Sequence, residues 1–343
     1  MVPVITILIF IPIGAIFPFF WPAVFRTIVK AGEAFSAMGY PGTFLYGFSM
    51  RLLNVFGLHH AIYPLFWYTP LGGVMEVGGK MVEGGQNIFF AQLADTTVKH
   101  FSANATKTMT GGFLPMMFGL PAAALEMYHE AKPERKKIVG GILFSAALTS
   151  FLTGITEPIE FAFLFVAPVL FMVHSVFAGL SFMIMNILKV RVESTFSGGL
   201  IDFIGFGVLP STQGFQTRWI LAIIVGLVFA VVYYAVFRAS IRLFNLATPG
   251  REAEVEVEGE EGEIFAGGLA DSVLQALGGK DNIVSVDSCI TRLRVEVVNV
   301  EKVDDNVLKR LGAAGVLKVG KNGVQAVFGS KAQFICNDIN QLI

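Results

Sequence analysis

Two short stretches carry the residue types that do chemistry. The first is Gly154-Ile155-Thr156-Glu157-Pro158-Ile159-Glu160-Phe161, which sets two carboxylates and a proline between the apolar runs 140–153 and 161–177. A carboxylate at membrane depth costs at least about 2.5 kcal/mol even on lenient insertion scales, so it needs a functional reason to be there. Proline at that place breaks a continuous helix. Broken backbone survives in a bilayer only where protein or a water-filled cavity satisfies its polar groups. These residues therefore predict an interrupted or re-entrant segment that holds a polar substrate. The second stretch is Asp287-Ser288-Cys289-Ile290-Thr291-Arg292-Leu293-Arg294. A cysteine at a strand-to-strand turn is exposed, and neighbouring guanidinium groups favour thiolate over thiol. Arg292 and Arg294, two apart on a strand, face the same side. Together they could hold a phosphoryl group through charge-assisted hydrogen bonds. A plainer alternative is a buried cysteine beside two arginines that only solvate the sheet.

Other ionisable groups can cooperate with the first stretch. Arg51 could counter a buried carboxylate or a phosphoryl oxygen. His59 and His60 can hydrogen-bond a hydroxyl and exchange protons near neutral pH, although satisfied packing would also account for them. Glu157 can accept a proton from an attacking hydroxyl. The role of Asp202, which lies in an apolar setting, stays open, with structural hydrogen bonding one option. Cys336, at core spacing near the C-terminus, reads as structural. No metal site is expected.

The elements that must position these groups follow from composition. Of 343 residues, 54% are hydrophobic and 15% charged, with mean hydropathy +0.66. Up to about Leu246 the chain is rich in Phe, Gly and Met with sparse charge; beyond Pro249 it has the balance of a soluble domain. That break predicts two domains. The net charge of −1 argues against a nucleic-acid partner. The absence of a G-x-x-x-x-G-K-[ST] loop argues against an ATP-driven pump. Two cysteines make no disulfide framework and are expected as reduced thiols. Arg238, Arg242 and Arg251 flank the last apolar run, which places the C-terminal domain in the cytoplasm.

Residues 4–25 are long enough to cross about 30 Å of hydrocarbon, with Pro12, Pro18 and Pro22 expected to kink them. Residues 27–40 are mixed enough to lie along the interface. Residues 47–70 carry Arg51 and the histidines, and 72–105 read as loop with short structure. Further apolar stretches fall at 109–128, 138–153, 161–173, 176–188, 196–210 and 219–237, giving about six to eight membrane segments. The N-terminus has neither a basic n-region nor a cleavage site, so it is no signal peptide. A missing N-terminal portion is expected instead.

Thr248-Pro249-Gly250-Arg251-Glu252 opens an acidic linker, 248–263, read as a solvated, self-repelling tether. In 264–343, helices are predicted at 269–277, 306–311 and 332–342. Strands are predicted at 283–286, 291–297, 316–319 and 324–328. The result is a small α/β sandwich, an antiparallel sheet covered by helices.

The residues also resemble a family. Leu152-Thr153-Gly154-Ile155-Thr156-Glu157-Pro158-Ile159-Glu160-Phe161 is similar to the signature of the sugar-transporting IIC domain of the phosphoenolpyruvate-dependent phosphotransferase system, glucose superfamily. The Asp287–Arg294 stretch resembles the phosphocysteine site of its IIB domain. Arg51-Leu52-Leu53, Phe56-Gly57-Leu58-His59-His60, Phe118-Gly119-Leu120-Pro121-Ala122-Ala123, Gly199-Leu200-Ile201-Asp202-Phe203 and Thr248-Pro249-Gly250-Arg251-Glu252 follow in the family's order. The run His59-His60-Ala61-Ile62-Tyr63-Pro64-Leu65-Phe66-Trp67 is most similar to Gram-positive glucose permeases, with the N-acetylglucosamine branch still open.

The resemblance implies a polytopic helical IIC domain with a re-entrant segment, here its C-terminal part (1–247), followed by the linker and a cytoplasmic IIB domain, in a bacterial inner membrane. It implies that Cys289 takes a phosphoryl group from a phosphohistidine of a separate IIA partner and passes it to the C6 hydroxyl of a hexose, glucose first. The group comes from phosphoenolpyruvate through HPr and IIA, with no other cofactor. Asp287, Thr291, Arg292 and Arg294 would surround the phosphocysteine. Glu157, His59, His60, Arg51, Thr156 and Glu160 would serve the sugar, with Glu157 preferred over Glu160. A homodimer embedded in membrane lipid is implied as well. The competing readings are a truncated or regulatory protein without autonomous transport, and an ion-coupled carrier, in which the Cys289 turn has no role.

Overall fold

The computed structural model describes residues 2–251, 268–289 and 292–343. It divides into two compact units, Met1–Arg251 and Glu252–Ile343. Most of the expected acidic linker, 252–263, and Thr291 lie outside the described residues.

Among the described residues, four helices are long and apolar enough to cross a membrane: Val4–Ala37, Pro133–Thr153, Pro168–Ile187 and Trp219–Leu243. That is fewer than the apolar stretches predict, because other apolar stretches form shorter elements. Tyr40–Asn54 has 15 residues and Leu120–Glu130 has 11.

The first helix, Val2–Ala37, absorbs both the expected span and the expected interfacial segment. Its 36 residues make it about 54 Å long, more than the hydrocarbon core. The polar residues at 26 and 27 do not end it, because their side chains bond the preceding turn. Arg26 Nε donates to the Pro22 carbonyl at 3.1 Å and Thr27 Oγ1 to that of Ala23 at 3.0 Å. Leu8, Phe10 and Phe19 on this helix are exposed. Only its C-terminal part joins the apolar cluster of Tyr46, Phe66 and Trp67, through Ile28, Val29 and Phe35.

The interrupted segment forms as predicted, with its breaks at particular residues. The helix Lys136–Thr153 ends at Gly154, which adopts φ +75°. A Cβ there would stand 2.5 Å from Ser197 Oγ and 2.8 Å from the Gly199 nitrogen, so glycine is required both for its left-handed φ and for the close approach. A short helix, Glu157–Leu164, follows, with Pro158 in its first turn where the missing N–H costs nothing. The stretches 161–173 and 176–188, expected as separate spans, are instead divided at 165–167. Pro168 opens one continuous helix, Pro168–Ile187. This helix packs extensively along Tyr40–Asn54. Residues 72–105 hold a hairpin, β1 (Val74–Val77) with β2 (Lys80–Glu83), and the helix Gly85–Ala94.

The C-terminal unit is a four-stranded antiparallel sheet of β3 (Ile283–Ser288), β4 (Arg292–Val297), β5 (Val316–Val319) and β6 (Gly323–Val327), in the order β3-β4-β6-β5. Strand β4 alternates strictly: Leu293, Val295 and Val297 are buried, while Arg292, Arg294 and Glu296 are exposed. The helices Leu269–Ala276 and Ala332–Leu342 supply Val273, Leu274, Ile335 and Ile339 to the same core. Cys336 sits in that core, and burial pushes its thiol pKa up.

Candidate functional site

In the N-terminal unit the predicted polar residues converge on one pocket of 350 Å³, whose wall includes Arg51, His59, His60, Thr156 and Glu157. Glu160, three residues on from Glu157, lies beneath that wall and is 1% exposed. Three protein side chains meet its carboxylate. Arg51 Nη1 donates to Glu160 Oε1 and also to Thr156 Oγ1 at 2.9 Å. Asn54 Nδ2 donates to Oε2 at 3.0 Å, and His174 Nε2 lies 3.0 Å from Oε1. A carboxylate only accepts, so Nε2 carries the hydrogen there. The other ring nitrogen, Nδ1, meets the Tyr233 hydroxyl at 2.8 Å.

This network divides the two carboxylates. Glu160 ties together the interrupted segment and the helices Tyr40–Asn54, Pro168–Ile187 and Trp219–Leu243. Glu157 stays on the pocket wall. Arg51 does counter a buried carboxylate, so its guanidinium is committed to Glu160 and Thr156. The partners of Glu160 are thus protein groups, whereas Glu157 is among the residues that line the pocket. Thr156 likewise accepts from Arg51 while lining the pocket.

His59 and His60 enter from the short turn Leu58–Ala61, set up by Gly57 at φ +68°. Their ring centroids are 4.0 Å apart, and His60 Nδ1 lies 3.2 Å from the Tyr63 hydroxyl. Asp202 is a structural partner. It accepts from the backbone N–H groups of Thr195 and Phe196 at 2.7 and 3.1 Å and from the Thr195 hydroxyl at 3.1 Å. It thereby fastens residues 194–198, which form another wall of the pocket.

Sequence reasoning missed Asn54, His174 and Tyr233. A histidine inside an apolar 20-residue helix is itself a signal, since an intramembrane ionisable group needs a partner. Nothing local indicated which carboxylate that partner would be.

In the C-terminal unit, Cys289 follows β3 directly, is half-buried, and donates its backbone N–H to the Arg292 carbonyl at 2.9 Å. Asp287 lies opposite Arg294 across the β3–β4 pairing and accepts from the Ser288 N–H at 2.7 Å. Arg292 Nη1 donates to Gln325 Oε1 at 3.3 Å. Both arginines lie on the sheet face opposite the core, and a hollow of 560 Å³ on that face takes in Asp287, Arg294 and Lys321. Arg292 and Arg294 thus present two guanidinium groups on an open face, where charge-assisted hydrogen bonds can hold an anion.

Residues 1–179 match the family model "Phosphotransferase system, EIIC". The chain belongs to this family. Residues 271–304 match "phosphotransferase system, EIIB", so the small sheet unit that follows EIIC carries the EIIB fold, and the resemblance in the sequence holds. With its membrane-length helices, the EIIC unit makes this a multi-pass membrane protein.

Among curated relatives, the chain is 50% identical over 300 residues to the glucose-specific EIICBA component of Staphylococcus carnosus, covering 88% of this chain and 42% of that protein. It is 51% identical over the same shares to the glucose-specific EIICBA component of Staphylococcus saprophyticus. It is 46% identical over 343 residues to the glucoside-specific EIICBA component of Staphylococcus carnosus, covering 100% of this chain and 48% of that protein. The chain spans less than half the length of these relatives.

Proposed function

We propose that this chain takes part in phosphoenolpyruvate-dependent uptake of a hexose, glucose first, as a protein-phosphohistidine–sugar phosphotransferase. The observation that carries this reading is the division of the two carboxylates: Glu160 is consumed by Arg51, Asn54 and His174, leaving Glu157 on the pocket wall with His59.

The phosphoryl group starts on phosphoenolpyruvate and travels through HPr and a IIA partner; no further cofactor is proposed. The Cys289 thiolate attacks phosphorus, forming an S–P bond as the N–P bond to the IIA histidine breaks. Arg292, Arg294 and Thr291 steady the transferred group, because such transfers depend on positioning and charge neutralisation. The sugar's C6 oxygen then attacks phosphorus and the Cys289 thiolate leaves. Glu157 takes the hydroxyl proton, and His59 holds the sugar beside it. Arg51, committed to Glu160, acts here by fixing the wall rather than by meeting phosphate. The product is charged and stays on the side where it formed. We place the EIIB unit in the cytoplasm, on the positive-inside argument from Arg238, Arg242 and Arg251. We place the whole as a homodimer in lipid, which the exposed apolar length of Val4–Ala37 supports.

A second reading, uptake of glucosides, is favoured by the glucoside-specific relative that matches all 343 residues. Membranes bearing the full chain, supplied with phosphoenolpyruvate, enzyme I, HPr and IIA, test both. Glucose 6-phosphate is the expected product. Phosphorylated glucoside without glucose 6-phosphate supports the second reading, and no sugar phosphate of either kind contradicts both.

A further inference from the structure

With Arg51, Thr156, Glu160 and Asp202 accounted for, the EIIC pocket still holds polar atoms that the protein leaves unsatisfied. Thr108 Oγ1 and His59 Nδ1 are each buried and lack a hydrogen-bond partner, and the buried Trp67 Nε1, although near the Tyr46 hydroxyl, makes no hydrogen bond of good geometry. All three residues line the same 350 Å³ pocket. Native interiors satisfy nearly every buried donor and acceptor, so three such atoms around one cavity point to a ligand that supplies their partners.

Neither Trp67 nor Thr108 is loosely placed. The Trp67 ring packs on Tyr63 at 4.4 Å between centroids and belongs to the cluster of Tyr46, Phe66 and Met109. Thr108 is one of three alternate threonines, all buried. Thr106 Oγ1 donates to the Ser102 carbonyl at 3.3 Å and Thr110 Oγ1 to that of Val192 at 2.9 Å. Thr108, between them, has no such carbonyl.

We propose that Trp67 and Thr108 are specificity-determining residues that each read one oxygen of a bound pyranose. The indole N–H is a donor only, so it requires an acceptor such as a ring hydroxyl; the Thr108 hydroxyl donates or accepts. A site built to bond a hydroxyl rejects the analogue that lacks it, because its own group is then left unpaired. The inference rests on the pocket being the sugar site.

The test is equilibrium binding of D-glucose and its singly deoxygenated ring analogues to the full chain in lipid nanodiscs. Wild type is expected to bind one analogue about tenfold less tightly than glucose for each residue that reads a hydroxyl. Trp67→Phe should abolish discrimination against one analogue, and Thr108→Val against a different one. Thr108→Ser keeps the hydroxyl and should keep the wild-type pattern. The ratio between analogue and glucose does not depend on how much of a variant is folded. An unchanged ratio in Trp67→Phe would overturn the role of Trp67, and one in Thr108→Val that of Thr108. Wild type that binds no hexose would instead overturn the sugar-site reading itself.

Discussion

Arg51 and Glu160, 109 positions apart in sequence, form a buried ion pair within the membrane unit. Arg51 Nη1 also reaches Thr156, and Glu160 also takes Asn54 and His174, so this pair joins the interrupted segment to its neighbouring helices. Removing one partner of such a pair leaves the other as an uncompensated buried charge.

Glu160→Ala is therefore expected to destabilise the EIIC unit by about 3–5 kcal/mol. Thermal unfolding in detergent should show it as a lowered midpoint, with Glu160→Gln milder because an amide still accepts from Arg51. A Glu160→Ala variant as stable as wild type would mean that the network is not structural.

For Glu157→Gln the expectation is the reverse. Glu157 lines the pocket and is absent from the network around Glu160. Stability should change by less than about 0.5 kcal/mol, as for substitutions away from packed or paired features. Glucose binding or phosphorylation should be lost. The paired measurements, thermal midpoint and glucose affinity, should move in opposite patterns for the two glutamates.

Gly154→Ala tests the helix break. Its φ of +75° and the close approach to Ser197 Oγ predict a loss of about 1–3 kcal/mol. The nearby pocket wall at 194–198 should shift as well. Lowered glucose affinity together with a lowered midpoint would show both effects.

In the EIIB unit, Cys336 is 4% exposed and its thiol pKa is raised by burial. A raised pKa means less thiolate at any given pH, so alkylation should be slow near neutrality and should quicken only at pH above the usual thiol range. Cys289, half-buried at the end of β3, should react first. Iodoacetamide labelling of the folded chain followed by peptide mass analysis reads the order, and faster labelling of Cys336 would contradict it.

Much of this was legible in the sequence. The α/β sandwich, the alternation through Arg292 and Arg294, and the interrupted segment around Pro158 all follow from local patterns. Those patterns determine which face of a strand is apolar or where a helix loses an N–H. The partition between Glu157 and Glu160 did not follow. It depends on Arg51, Asn54, His174 and Tyr233, which reach the site from three other helices, and local spacing carries no information about such long-range pairing. The continuity of Val2–Ala37 escaped for a different reason. Polar composition at residues 26–33 resembles a boundary, yet side chains such as Arg26 and Thr27 can satisfy their own helix's carbonyls.

The central claim is that Cys289 carries the phosphoryl group while Glu157 serves the sugar, and radiolabelled phosphoenolpyruvate tests it most directly. Membranes with the wild-type chain, enzyme I, HPr, IIA and glucose should yield label on Cys289 and on glucose 6-phosphate. Glu157→Gln should leave label on Cys289 with no labelled sugar, and Cys289→Ser should yield neither. Labelled glucose 6-phosphate from Cys289→Ser would contradict the account.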